Sequence, residues 1–187
     1  GYGALLQGGV TAGTALRGPA LRRGDCIGIA APATHDEGQD ISAAVARLER
    51  AGYRVKMTPT VTGNYGFFSG TDADRARDIN ALFHDDDVKA IICLNGGYGS
   101  ARILDKLDYD YIASHPKLVV GFSDVTALQT ALWEKCRLVT ANGPLMVTLV
   151  GSDAYTAGQF FQGLTTDAWR GPLALPAGRK LTTVVPG

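Results

Sequence analysis

The order of secondary structure is set by residues 88–107, which read Val88-Lys-Ala-Ile-Ile-Cys-Leu-Asn-Gly-Gly-Tyr-Gly-Ser-Ala-Arg-Ile-Leu-Asp-Lys-Leu107. The first seven residues are almost all apolar, which is typical of a buried strand, and a glycine-rich turn separates them from a short helix predicted at 101–107. A strand that passes through a short turn into a helix is the repeating unit of a parallel α/β sheet.

The same unit recurs along the chain. We predict strands at 26–31, 53–58, 88–94, 118–122 and 138–141, and helices at 40–51, 71–83, 101–107 and 124–134. Strands that alternate with helices form a parallel sheet with helices on both faces, so we expect a Rossmann-like α/β fold. Ligands of such sheets bind beyond the carboxyl ends of the strands, which here are the loops after residues 31, 94 and 122.

Composition excludes several classes of function. The chain has 187 residues and a net charge of zero, from 18 Lys+Arg and 18 Asp+Glu. A nucleic-acid-binding protein needs a surplus of positive charge, and a membrane helix needs about 20 consecutive apolar residues, which this chain lacks. Cys26, Cys93 and Cys136 are far apart in apolar stretches, so we expect buried free thiols rather than disulfides or a zinc site.

The chain divides by composition into three parts. We expect a glycine-rich N-terminal extension at 1–21, an α/β domain at 22–170, and a Pro/Gly-rich linker at 171–187 that leads to a C-terminal domain. The alternative for the N-terminal segment is the remnant of an export signal, although it lacks the positive charge that such signals carry. The extension is the favoured interpretation.

The turn at 95–100 has the composition of an anion-binding loop. Successive glycines between a strand and a helix allow backbone N–H groups to converge on an anion or a developing oxyanion. The turn matches neither the dinucleotide-binding fingerprint nor the phosphate-binding P-loop, so a nucleotide site is not favoured. The alternative is a tight turn without a ligand.

A second candidate feature is the sequence Gly121-Phe-Ser-Asp-Val125, where a predicted strand runs directly into a helix. A serine at such a turn is presented at the top of the sheet, as in a nucleophile elbow, although Val125 replaces the second glycine of that motif. The alternative is that Ser123 only caps the helix. Because both turns follow parallel strands, we expect Ser123 and the glycine turn to lie at the same edge of the sheet.

These motifs resemble a known family. Residues 95–109, 121–128 and 142–146, with the opening Gly24-Asp-Cys-Ile-Gly-Ile-Ala-Ala-Pro32, are similar to the N-terminal, glutaminase-like domain of the L,D-carboxypeptidases. This serine peptidase family also includes the microcin C self-immunity peptidases. The resemblance implies an enzyme that removes the terminal D-alanine from murein tetrapeptides during cell-wall recycling, without a metal or cofactor.

The resemblance also implies roles for individual residues. Ser123 would be the nucleophile, and the backbone N–H groups of Gly97 and Asp124 would form the oxyanion hole. Gly96, Tyr98 and Thr126 would contact the substrate. The family has an arginine where this chain has Asn95, so any contact of that arginine with the substrate is in doubt here.

The resemblance places the general base outside this chain. In the family it is a histidine oriented by a glutamate, and both belong to a C-terminal domain that we expect to begin after Pro186-Gly187. His84 and His115 are predicted at the amino edge of the sheet, and His35, in the loop after the first strand, is a less favoured base. We therefore expect the chain alone to be inactive, and its partner to be the C-terminal domain, carried in the same polypeptide or as a separate chain.

The substrate, the partners and the cellular location remain to be stated as expectations. The substrate could instead be a microcin-type aminoacyl-nucleotide, or the domain could be a non-catalytic module that binds a small anion. We expect a homodimer that binds murein peptide and neither nucleic acid nor membrane. The recycling role implies the cytoplasm, and an export signal at the N-terminus would imply the periplasm instead.

Overall fold

Five strands form one sheet in the computed structural model, which describes residues 14–165. The strands are β1 (Cys26–Ala30), β2 (Arg54–Met57), β3 (Val88–Cys93), β4 (Leu118–Gly121) and β5 (Ala141–Asn142). They lie in the order β2-β1-β3-β4-β5, and every neighbouring pair is parallel. The predicted parallel α/β fold is therefore confirmed.

Helices follow each of the first four strands. The α-helices of the described chain are α1 (Ser42–Arg50), α2 (Asp72–His84), α3 (Tyr109–Ser114), α4 (Thr126–Cys136), α5 (Met146–Leu149) and α6 (Ala154–Leu164). Shorter 3-10 helices cover Pro59–Thr62, Ser100–Lys106 and Ser123–Val125. The short helix predicted at 101–107 is thus a 3-10 helix. Between residues 14 and 165, no helix has the length and apolarity needed to cross a membrane.

Aspartate and threonine side chains define where helices begin. Thr71 Oγ1 accepts a hydrogen bond from the Asp74 N–H at 3.1 Å and caps α2. Asp108 and Asp153 cap α3 and α6 in the same way. Since capping supplies an acceptor to an otherwise unpaired first-turn amide, these residues fix the starts of their helices.

The sheet separates two apolar layers. In β3, Ile91 and Cys93 pack in the layer that contains α2, α3 and α4, while Ala90 and Ile92 pack in the layer that contains α1, α5 and α6. All four side chains are fully buried. A strand covered by helices on both faces must be apolar at successive positions, which explains the uninterrupted apolar run of β3.

The fifth strand is shorter than predicted. We expected a strand at 138–141, but β5 covers only Ala141–Asn142. The reason is that Leu138 and Val139 have a different partner: Leu138 forms a parallel bridge with Leu16, and the Val139 N–H donates to the Leu16 carbonyl at 2.8 Å. The prediction for residues 138–140 was therefore wrong.

The described part of the predicted N-terminal extension packs against the domain. The Leu16 N–H donates to the Arg137 carbonyl at the end of α4, and the Leu21 N–H donates to the Leu164 carbonyl in α6. Leu21 is buried in the layer that contains α6. Residues 14–21 thus share hydrogen bonds and core with the α/β domain. Residues 1–13 and the predicted linker at 171–187 lie outside the described residues.

The three cysteines are predicted to be unreactive in the folded protein. All are free and buried, as expected from the sequence. Burial raises the pKa of the Cys93 thiol to about 12 and of the Cys136 thiol to about 11. Because the thiolate is the reactive species, iodoacetamide at about pH 8 should leave the native protein unmodified and alkylate all three thiols in denaturant. Intact-mass measurement checks this, and alkylation of native Cys93 would contradict the burial that the structure shows.

Candidate active site

The candidate site lies at the carboxyl edge of the sheet, on the loops after β1, β3 and β4. β2 pairs with one side of β1 and β3 with the other, so the order of the strands reverses between β1 and β3, where ligands of such sheets usually bind. Two hydrogen bonds join the loops after β1 and β3: the Thr34 N–H donates to the Gly96 carbonyl at 3.2 Å, and Asn95 Nδ2 donates to the His35 carbonyl at 2.9 Å. The glycine turn is therefore held against the loop after β1.

The amides of the glycine turn are largely satisfied from within the protein. The Gly96 N–H donates to Asn95 Oδ1 at 2.8 Å, the Tyr98 N–H donates to Thr34 Oγ1 at 3.1 Å, and the Ser100 N–H donates to Asp124 Oδ2 at 2.8 Å. The N–H groups of Gly97 and of buried Gly99, by contrast, donate to no residue in the described part of the chain. Gly97 is exposed, so its amide is available to a ligand.

Only glycine fits position 97 without rearrangement. Its φ is +89°, in the left-handed region, and a Cβ there would overlap the hydroxyl of Thr34. Thr34 is buried and also accepts the hydrogen bond from the Tyr98 amide, so it cannot move away without breaking that contact. A side chain at 97 would displace the turn that presents the free amide.

Ser123 has the backbone of a strained strand-to-helix turn. It follows β4 after a single residue and begins the 3-10 helix Ser123–Val125, with a φ of +61° that L-residues rarely adopt. Such a conformation costs about 1 kcal/mol or more in a residue other than glycine. Ser123 is exposed, and within residues 14–165 its hydroxyl accepts no hydrogen bond from the helix that follows. The alternative prediction that Ser123 only caps this helix was therefore wrong.

The serine turn and the glycine turn are in contact. A Cβ built on Gly96 would lie 3.2 Å from Ser123 Cβ, 3.4 Å from Ser123 Oγ and 3.7 Å from the Asp124 nitrogen. A hydrogen bond from the Ser100 amide to the Asp124 carboxylate connects the two turns. The predicted placement of Ser123 and the glycine turn at one edge is therefore observed. The roles of Ser123, Gly97 and Asp124 in catalysis stay predictions.

The remaining predicted substrate-contacting residues flank this pair of turns. The Tyr98 side chain is 54% exposed, and its ring centroid lies 6.1 Å from that of Phe68. Thr126 is the exposed first residue of α4, three positions after Ser123. Gly96 is buried behind the serine. Contact of these residues with a substrate stays a prediction.

The three histidines are engaged away from Ser123. His35 Nδ1 accepts the Glu37 N–H at 2.8 Å. His84 and His115 stack on opposite sides of the Tyr111 ring, with centroids 3.6 and 3.9 Å away, and His84 Nε2 lies 3.2 Å from Asp108 Oδ2. All three histidines lie within residues 14–165, and none of them forms a hydrogen bond with Ser123. No group of three His, Cys, Asp or Glu within 14–165 is arranged to hold a metal ion.

Two residues that shape the site, Thr34 and Arg75, were not predicted from the sequence. Thr34, in the loop after β1, holds the glycine turn through both its amide and its hydroxyl. Arg75, in α2, is completely buried and donates to the Gly99 carbonyl at 3.0 Å. The rule that ligands bind at strand ends pointed to the loop that contains Thr34. Nothing in the pattern of α2 distinguishes Arg75 from the exposed Arg77 two positions later.

Charge around Arg75 is balanced by one shared carboxylate. Asp72 pairs with Arg75 on its buried side and with the exposed Arg102 at 2.9 Å. The hydrogen bonds from Arg102, together with the charges of both arginines, hold the pKa of the Asp72 carboxyl below its usual range, and burial lowers the pKa of Arg75. The Phe68 ring lies within 4.9 Å of the Arg75 guanidinium carbon and 5.2 Å of that of Arg102.

Comparison with known proteins identifies relatives of this domain. The family model Peptidase S66, described as the LD-carboxypeptidase N-terminal domain, matches residues 27–143. A Bacillus subtilis protein named "Probable murein peptide carboxypeptidase" is 38% identical over 134 residues, which cover 72% of this chain and 42% of the relative. The microcin C7 self-immunity protein MccF of Escherichia coli is 36% identical over 135 residues, covering 70% of this chain and 39% of MccF.

The fold has a close counterpart among solved structures. MccF in complex with aspartyl sulfamoyl adenosine superposes with a TM-score of 0.78 and 28% identity, over 86% of this chain and 50% of MccF. The chain therefore spans about two fifths of the length of the curated relatives it matches.

Proposed function

The chain belongs to the Peptidase S66 family of LD-carboxypeptidases, and we propose that it carries the nucleophile and oxyanion hole of a serine peptidase that releases the terminal D-alanine of murein tetrapeptides. One observation carries this proposal: Ser123 has a left-handed backbone at a strand-to-helix turn, in contact with a glycine turn that has a free amide. A strained serine beside unpaired amide donors is the arrangement needed for acyl transfer.

The chemistry proceeds in two steps. Ser123 Oγ attacks the carbonyl carbon of the L-to-D peptide bond while a base accepts the hydroxyl proton, and the carbonyl oxygen becomes an oxyanion. The N–H groups of Gly97 and Asp124 stabilise this charge. Collapse of the intermediate expels D-alanine, whose nitrogen receives the proton from the base, and leaves an acyl-enzyme. Water then hydrolyses the ester and restores Ser123.

The general base is proposed to come from outside the described residues. Since none of His35, His84 and His115 forms a hydrogen bond with Ser123, we assign the base to a histidine, oriented by a glutamate, in a further part of the full-length protein. The relatives are more than twice as long as the regions that align with this chain, which leaves room for such a domain. Without a base, only the residual catalysis of the oxyanion hole and substrate binding is expected.

A second candidate function is the hydrolysis of a microcin-type aminoacyl-nucleotide. MccF, whose fold this chain shares, has been solved with aspartyl sulfamoyl adenosine. Both candidate reactions use attack of a serine on a carbonyl carbon, so the Ser123 site is compatible with either. The substrates differ in the group attached to the carbonyl, which is a D-amino acid in one case and a nucleotide analogue in the other.

Direct comparison of the two substrates tests the proposed function. Full-length enzyme is incubated with murein tetrapeptide and, separately, with aspartyl sulfamoyl adenosine. The products are separated by liquid chromatography and identified by mass spectrometry. We expect release of D-alanine from the tetrapeptide as the faster reaction. Faster cleavage of the aminoacyl compound would favour the second candidate, and no cleavage of either would indicate a non-catalytic binding module.

A further inference from the structure

The completely buried guanidinium of Arg75 joins three loops at the carboxyl edge of the sheet. It donates to the carbonyls of Pro32 after β1, Gly99 in the glycine turn and Gly70 before α2, the last at 3.2 Å, and it pairs with Asp72. We propose that Arg75 is a positioning residue that keeps the glycine turn, and with it the Gly97 amide, in the geometry that stabilises the oxyanion. This inference rests on the proposed function of Ser123 and Gly97.

The chemistry of these contacts requires an arginine. A guanidinium presents five N–H donors in a rigid plane and can therefore reach several carbonyls that lie in different directions. The ammonium group of a lysine is a single point at the end of a flexible chain, so it cannot make the same set of contacts at once. A neutral side chain would also leave at least one of the buried carbonyls of Pro32 and Gly99 with one partner fewer.

Burial of the Arg75 charge is costly unless ion pairing and hydrogen bonds offset the lost hydration. Asp72 already has an arginine partner at the surface, because Arg102 binds both of its carboxylate oxygens at 2.9–3.1 Å. A second arginine buried behind the same carboxylate contributes little net stability, since desolvation opposes the Coulombic gain. What Arg75 adds, and Arg102 lacks, is the set of side-chain hydrogen bonds to loop carbonyls.

Arg75 completes a three-sided hold on the glycine turn. On the β1 side, Thr34 forms hydrogen bonds with the Gly96 carbonyl and the Tyr98 amide. On the β4 side, the Asp124 carboxylate accepts a hydrogen bond from the Ser100 amide. The Arg75 contact at Gly99 lies two residues from Gly97 and acts from the side of α2. Because a displacement of about 1 Å in a catalytic group can lower the rate about 10²-fold, loss of this contact should impair the oxyanion hole.

Arg102 provides a matched control. Its guanidinium shares Asp72 with Arg75 and lies over the same Phe68 ring, but about half of its side chain is exposed. Among the described residues, that guanidinium donates to no carbonyl of the glycine turn; only the Arg102 main-chain N–H, which a side-chain substitution keeps, donates to the Gly99 carbonyl at 3.0 Å. Arg75→Lys and Arg102→Lys therefore disturb the same ion-pair network. Only Arg75→Lys removes the guanidinium hydrogen bond to the Gly99 carbonyl of the glycine turn.

The test measures kcat and KM of the full-length enzyme on murein tetrapeptide for Arg75→Lys, Arg75→Gln, Arg102→Lys and Ser123→Ala. We expect kcat to fall about 10- to 100-fold in the folded Arg75 variants with KM changed less than about two-fold, because the oxyanion exists only in the transition state. Arg102→Lys should stay within about two-fold of wild type in both constants. Thermal unfolding confirms that each variant is folded at the assay temperature.

The outcomes separate this inference from the proposed function. Unchanged kcat in a folded Arg75 variant, or a fall confined to KM, overturns the positioning role while leaving Ser123 in place. An equal loss of kcat in Arg102→Lys also overturns it, because the shared ion pairs would then be responsible. If neither Arg75 variant folds, Arg75 serves stability alone and the inference fails. Retained turnover in Ser123→Ala would instead refute the proposed function itself.

Discussion

Ser123→Gly is expected to abolish turnover and at the same time to stabilise the folded protein. Removal of the nucleophile should lower kcat on murein tetrapeptide by about 10⁴- to 10⁶-fold, as in other serine peptidases that lose a member of the triad. Because φ at 123 is +61°, glycine relieves backbone strain, and we expect the free energy of unfolding to rise by about 1 kcal/mol or slightly less. Activity and stability would change in opposite directions.

Two control variants separate the chemical effect from the backbone effect. Ser123→Ala removes the hydroxyl and keeps the strain, so it should lose the same activity with stability close to wild type. Glu37→Gly relieves a similar strain, at a φ of +55°, in an exposed side chain outside the proposed machinery, so it should gain stability and keep activity. The measurements are steady-state kinetics and urea unfolding of the full-length protein.

The stability of these variants also tests whether the backbone at Ser123 is strained. If Ser123→Gly proves less stable than Ser123→Ala by more than the entropic cost of glycine, about 0.5–1 kcal/mol, position 123 is not strained and the elbow geometry is not supported. If either variant retains more than about a hundredth of wild-type kcat, Ser123 is not the nucleophile.

Gly97→Ala should lower kcat by about 10²- to 10³-fold, the usual effect of losing one oxyanion-hole donor. The added Cβ overlaps the hydroxyl of buried Thr34, so the turn must shift and move the free amide from its present position. Because the amide acts on the transition state, we expect KM to change much less than kcat.

The control for Gly97→Ala is Gly24→Ala. The two glycines have nearly the same φ, +89° and +93°, so alanine pays a similar conformational cost at both sites. Apart from the neighbouring residues in the chain, no atom lies within 4 Å of a Cβ at position 24, which precedes β1 at the opposite edge of the sheet. Gly24→Ala should therefore lose the stability that the left-handed backbone alone costs, less than Gly97→Ala loses, and keep its activity. Equal kinetics for both alanine variants would show that the Gly97 amide takes no part in catalysis.

The sequence predicted what depends on local pattern. The apolar run at 88–94 predicted β3, and the threonine before an acidic first turn predicted the start of α2. The juxtaposition of Ser123 with the glycine turn followed from a topological rule, since the carboxyl ends of parallel strands share an edge. The positive φ of Ser123 is a consequence of that turn and could be inferred only from the elbow motif.

What the sequence did not predict depends on distant pairing. Leu16 binds Leu138 and Val139 across more than a hundred residues, and this pairing shortens β5. The burial of Arg75 follows from how three loops meet over α2, while the neighbouring Arg77 remains exposed. α3 was missed because it has only six residues, too few to show a clear helical period. The pairing of Leu16 and the burial of Arg75 are set by tertiary contacts that local propensity does not encode.

Covalent labelling shows whether Ser123 is the attacking nucleophile. Full-length protein is treated with a fluorophosphonate, digested and analysed by tandem mass spectrometry, with Ser123→Ala treated in parallel. We expect one stoichiometric phosphonyl adduct on Ser123, no adduct in Ser123→Ala, and loss of D-alanine release in step with labelling. An adduct on another residue, or continued turnover of murein tetrapeptide by fully labelled or Ser123→Ala protein, would contradict it.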